Sequence, residues 1–141
     1  MITRSSSKEA LIDIFSRMIP FAAQHNIRLV ALNRRDYPGS SPLSSDELIR
    51  LDSSDVLIRT AALRTLGGEI GAFLAWFVRT HDLPPVVTHV DGRRTGGIVL
   101  VAWSLAHTVT CSLLACPGAL SETTRSALRT HLRTYCVLCS R

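Results

Sequence analysis

One serine of the chain lies in a segment that could expose its hydroxyl group for chemistry. The segment Ala102-Trp103-Ser104-Leu105-Ala106 follows an apolar run and precedes a helical pattern. A serine on a tight turn from strand to helix projects its hydroxyl beyond the strand, where the helix N-terminus stabilises negative charge. The usual pattern G-x-S-x-G has glycine at the two positions that are alanine in this chain. Ser104 is therefore a candidate nucleophile, and a buried serine that begins a core helix is the alternative.

Few other residues have a spacing that favours catalysis or metal binding. His107 follows Ser104 closely and is a candidate base, but a hydrogen-bonded packing residue is the simpler interpretation. Cys136 and Cys139 have the spacing of a metal or redox pair, yet only His131 could add a nearby third ligand. We therefore expect the four cysteines to be reduced and buried, and we expect no metal and no cofactor.

Apolar periodicity predicts the elements that would position Ser104. In chain order these are a helix at 8–24, a strand at 27–32, a polar connection at 33–54, a helix at 56–80, a loop at 86–97, a strand at 98–103, a helix at 105–115, a helix at 121–132 and a strand at 134–138. Pro20 is expected to end or kink the first helix, and Gly67 with Gly68 to weaken the second. This order predicts an α/β fold in which a parallel sheet of three strands is flanked by four helices.

A second segment adds a family resemblance. Asn33-Arg-Arg-Asp-Tyr-Pro-Gly-Ser40, together with the unit of strand, Ser104 and helix, resembles the α/β-hydrolase family of the AB hydrolase-1 type, in particular a fungal-like subgroup. The resemblance extends from about Ile12 to the C-terminus. It implies that the three predicted strands are the fourth, fifth and sixth strands of that family's sheet. It also implies that Ser104 is the nucleophile and that the backbone N–H of Leu105 is an oxyanion donor.

The resemblance implies a serine hydrolase that cleaves a small ester-like substrate by acyl transfer. In that family a second oxyanion donor precedes the part that this chain matches, and the catalytic acid and histidine follow the sixth strand. The expectation is thus a single, partial and truncated hydrolase domain over residues 1–141, weakly active or inactive alone. The alternative is a non-catalytic binding module of the same fold, whose exposed apolar edges predict self-association.

The composition of the chain also indicates whether nucleic-acid binding, membrane insertion or secretion is expected. The 141 residues are 46% hydrophobic, enough for a core, and the net charge of +5 comes from scattered arginines, so nucleic-acid binding is not expected. The uncharged stretch at 98–116 carries polar side chains, which favours a strand and a helix over a membrane span. The N-terminal residues lack the apolar core of a secretory signal, which predicts a cytoplasmic protein, with a mitochondrial presequence as the alternative left open.

Overall fold

The computed structural model describes residues 16–37, 39–104 and 106–138. This part of the chain mixes helices with two small two-stranded sheets. The helices are α1 (Ile19–Gln24), α2 (Ser45–Leu51), α3 (Val56–Thr80), α4 (Ala106–Ala115) and α5 (Glu122–His131). The strands are β1 (Val87–Thr88), β2 (Arg94–Thr95), β3 (Ile98–Trp103) and β4 (Leu132–Leu138). The chain divides into two compact units, one up to Ser45 and one from Asp46 onward.

The first unit contains α1 and a run of chain that was expected to be a strand. Residues 27–34 have no regular secondary structure, and apolar side chains such as Ile27 and Val30 are exposed, so the strand predicted at 27–32 is wrong. Aliphatic and β-branched residues favour a strand only where a neighbouring strand accepts their backbone hydrogen bonds. Pro20 lies in the first turn of α1, where its missing N–H is harmless, so it begins this helix rather than ending it. Residues 8–15 of the predicted helix lie outside the described residues.

The second unit is built on α3, which has the bounds that the sequence predicts. The Asp55 carboxylate accepts the N–H of Leu57 at 2.7 Å and caps the start of the helix. One face of α3 carries Ile70 and Leu74, which form the buried core together with Val109 and Leu113 of α4.

Gly67 allows α4 to approach α3 closely. A Cβ atom added at Gly67 would lie 2.5 Å from Ser112 Oγ and 2.8 Å from the backbone N of Leu113, whereas one added at Gly68 would meet nothing within 4 Å. Ser112 Oγ donates a hydrogen bond to the Leu63 carbonyl at 2.7 Å across the same contact. The helix continues unbroken through the two glycines, so the weakening expected there does not interrupt it.

By length and composition, α3 is also long and apolar enough to cross a bilayer, and 33% of its most apolar window is buried within the protein. The core helix of a folded unit meets the same criteria, and one face of α3 packs against α4. The uncharged stretch at 98–116 is divided between β3 and α4, as its sequence predicts.

β3 and β4 form a parallel sheet, with α4 and α5 in the connection between them. Ile98 and Leu100 point towards the core, whereas Val99 and Val101 point the other way and are 48% and 39% exposed. The strands predicted at 98–103 and 134–138 are confirmed, and the parallel pairing and flanking helices show a mixed α/β arrangement. The sheet has two strands in the described part of the chain, not three.

Two short elements lie where the sequence predicts loops. α2 lies within the predicted connection at 33–54, and its first turn carries Asp46 and Glu47, which favour a helix start. β1 and β2 pair antiparallel within the predicted loop at 86–97. Asp91-Gly92 lies between them, and this dipeptide is typical of a hairpin turn. Both elements thus had a local signal in the sequence.

Candidate functional site

Ser104 forms the turn between β3 and α4. β3 ends at Trp103 and α4 begins at Ala106, so the strand and helix expected around the serine are both present. The N–H of Ser104 donates to the Leu138 carbonyl at 2.8 Å, which attaches the turn to the end of β4. Ligands of open α/β sheets bind at the carboxyl ends of the strands. Ser104 therefore lies at the end of the sheet where a reacting group would be expected.

The backbone of Ser104 is in the left-handed region, with a φ of +52°. Among the described residues, the other non-glycine positions with positive φ are Asn26, Asp36 and Asp82, whose residue types tolerate this conformation. Serine lacks that preference, and such a conformation costs on the order of 1–3 kcal/mol. The side chain is exposed. A strained turn with an accessible hydroxyl is the geometry that a nucleophile elbow requires.

His107 contacts the backbone of this turn and not the serine hydroxyl. Its Nδ1 donates to the carbonyl oxygen of Ser104 at 2.7 Å, and its backbone N–H donates to the same oxygen at 3.1 Å. Because a carbonyl oxygen only accepts, Nδ1 is the donor in this contact, and no described contact joins the His107 ring to the Ser104 hydroxyl. The geometry fits the packing role that the sequence favours. Within the described part of the chain, the Ser104 hydroxyl makes no hydrogen bond.

Leu105, the expected oxyanion donor, lies outside the described residues, so its role stays a prediction.

The cysteine and histidine candidates do not converge. Among the described residues, no group of three or more His, Cys, Asp or Glu side chains could hold a metal ion. His131 Nε2 donates to the Leu83 carbonyl at 3.2 Å, which is a packing contact. Cys111 is exposed, so the prediction that every cysteine is buried is wrong, because this position faces away from the core stripe of α4. Cys139 lies outside the described residues.

A hydrogen bond that the sequence analysis missed holds α4 against β4. The Oγ1 of Thr110, a residue that is 4% exposed, lies 2.6 Å from the hydroxyl of Tyr135 and also donates to the Ala106 carbonyl at 3.0 Å. Burial raises the pKa of Tyr135 above its usual value of 10.0, so the phenol is neutral at physiological pH. The contact holds the N-terminal half of α4 against β4. A tyrosine within a strand is the available signal, because a buried phenol usually finds a polar partner.

No family model, no curated protein and no solved structure matches this chain. The relationship to α/β-hydrolases therefore stays a prediction from the segments around Asn33 and Ser104.

Proposed function

We propose that Ser104 is the nucleophile of a serine hydrolase of the α/β-hydrolase type that acts on small acyl esters. The observation that carries the proposal is the left-handed backbone of Ser104 between the parallel strand β3 and the helix α4. The exposed side chain and the adjacent N-terminus of α4, which favours negative charge, add support. In this proposal β3 and β4 are neighbouring strands of a hydrolase-type sheet.

The proposed reaction proceeds by acyl transfer. Ser104 Oγ attacks the carbonyl carbon of the ester and releases its proton to water. The bond to the alcohol oxygen then breaks, and the alcohol leaves after it takes up a proton from water. Water then hydrolyses the acyl-enzyme and releases the carboxylic acid. We assign the backbone N–H of Leu105 to stabilise the oxyanion. Because no described histidine or carboxylate contacts Ser104 Oγ, we expect the slow reaction of a weakly activated serine.

Covalent labelling with a fluorophosphonate probe tests the proposal. We expect slow, stoichiometric labelling of the folded chain, its loss in Ser104→Ala and its retention in Ser126→Ala, which replaces an exposed serine on α5. Intact-mass spectrometry measures the labelled fraction, and circular dichroism shows that each variant is folded. Absence of labelling in the folded wild-type chain, or labelling that persists in Ser104→Ala, would contradict the proposal.

One observation also favours a non-catalytic function. Val99, Val101 and Leu138 are exposed on one side of the β3–β4 sheet, which we call the outer sheet face. In the described part of the chain, each of these strands has a single partner and one open edge. Parallel sheets are normally covered on both faces, and exposed apolar patches mark interaction sites. As a second candidate, we propose that the outer sheet face binds another copy of the chain.

A further inference from the structure

A groove of about 350 Å³ lies at the opposite end of α4 from Ser104. Its walls are mainly leucine side chains from α4, from α5 and from the residues on either side of α5: Leu113, Leu114, Leu120, Leu128 and Leu132. α4 has 10 residues, so its two ends are about 15 Å apart. The volume is within the range of small-molecule sites, roughly 300–1,000 Å³. The length of α4 separates the groove from the proposed nucleophile.

The charges beside the groove are positive. Arg125 and Arg129 of α5 line it, and none of the lining residues is acidic. Arg125 forms an ion pair with Glu122, which neutralises its charge locally. Arg129 is exposed and forms no ion pair with any residue that the structure describes. The groove thus combines an apolar wall with one uncompensated cation.

We propose that this groove binds a medium-chain fatty acid, with the alkyl chain against the leucines and the carboxylate on the Arg129 guanidinium. Burial of the chain against the leucines is favourable because it removes apolar surface from water. A guanidinium group matches a carboxylate with two parallel hydrogen bonds. A neutral aliphatic alcohol would gain no ion pair with Arg129, and inorganic phosphate has no alkyl chain to contact the leucines. This inference does not depend on the hydrolase proposal.

Decanoate, below its micelle-forming concentration, is the probe for this site. We expect saturable NMR shifts confined to the methyl groups of the groove leucines in the full chain. Decanoate should bind Arg129→Gln about two- to fivefold more weakly, because the ion pair with an exposed arginine is lost but was screened by water. Arg94→Gln, which removes an exposed arginine of β2, should bind decanoate like the wild type. Decanol should bind the wild type about as weakly as decanoate binds Arg129→Gln.

A second variant tests the apolar wall. Leu114 is 37% exposed, so Leu114→Asp should preserve the fold while placing a carboxylate beside the alkyl chain. We expect decanoate binding to be lost and the circular dichroism spectrum to be unchanged. Equal affinity of decanoate for the wild type and Arg129→Gln, shifts spread over the whole surface, or undiminished binding to a folded Leu114→Asp would overturn the inference.

Discussion

At the scale of single residues, Ser104 combines an unusual backbone conformation with a fixed position. Its N–H is bonded to the end of β4, and its carbonyl accepts two hydrogen bonds from His107. The local sequence predicts the turn, because small residues flank a serine between an apolar run and a helical pattern. The sequence does not predict the Leu138 carbonyl as the partner of the Ser104 N–H. Every residue carries a backbone carbonyl, so the residue type at a distant position does not show which carbonyl accepts the bond.

The strain at Ser104 predicts a difference between two substitutions that both remove the hydroxyl. Ser104→Gly should be more stable than Ser104→Ala by about 1 kcal/mol, because alanine keeps a Cβ atom that disfavours positive φ. Urea denaturation followed by circular dichroism measures the two free energies of unfolding. Equal stability of the two variants would argue against a left-handed backbone at this position.

At the scale of elements, the sequence predicts those whose apolar pattern is satisfied within one unit. α3, α4 and β3 follow their periodicity because their apolar residues meet in a common core. The run at 27–32 has the same composition as a buried strand but pairs with no strand that the structure describes, and local composition cannot reveal whether a partner is present. The sequence likewise shows a glycine pair in α3 without showing that only one glycine faces a neighbouring helix.

Gly67 and Gly68 of α3 therefore predict opposite effects of the same substitution. Gly67→Ala should lower the free energy of unfolding by about 1–3 kcal/mol, because the new methyl group would press on Ser112 and the backbone of α4. Gly68→Ala should raise it by about 0.5–1 kcal/mol, because alanine favours a helix and its methyl group meets open space. Thermal and urea unfolding of both variants provide the measurement. A similar effect at both positions would contradict the close approach of α4 at Gly67.

At the scale of the whole molecule, the outer sheet face is an apolar surface exposed to solvent. A sheet of two strands is marginal by itself and depends on what packs against it. In the second unit the core covers the inner side of the sheet, and Val99, Val101 and Leu138 stay exposed on the other side. Apolar exposure of this kind favours association of the chain with itself.

Val101→Lys tests this association, with Leu57→Lys as the matched control. Both substitutions place a charge at an exposed apolar residue, but Leu57 is in the first turn of α3 and 79% exposed. We expect a wild-type dimer or larger oligomer, at least about tenfold weaker association in Val101→Lys, and no change in Leu57→Lys. Size-exclusion chromatography with light scattering measures the masses. A wild-type chain that is monomeric at all concentrations would exclude this second candidate function.

The hydrogen bond from Ser104 to Leu138 also has a consequence for the order of folding. α3 and α4 can form their core without β4, whereas the parallel pairing of β3 with β4 must close a loop that contains both α4 and α5. Closing such a loop costs chain entropy before the sheet contacts compensate for it. We therefore expect the helices to assemble early and the turn at Ser104 to reach its final conformation late, when the last strand docks.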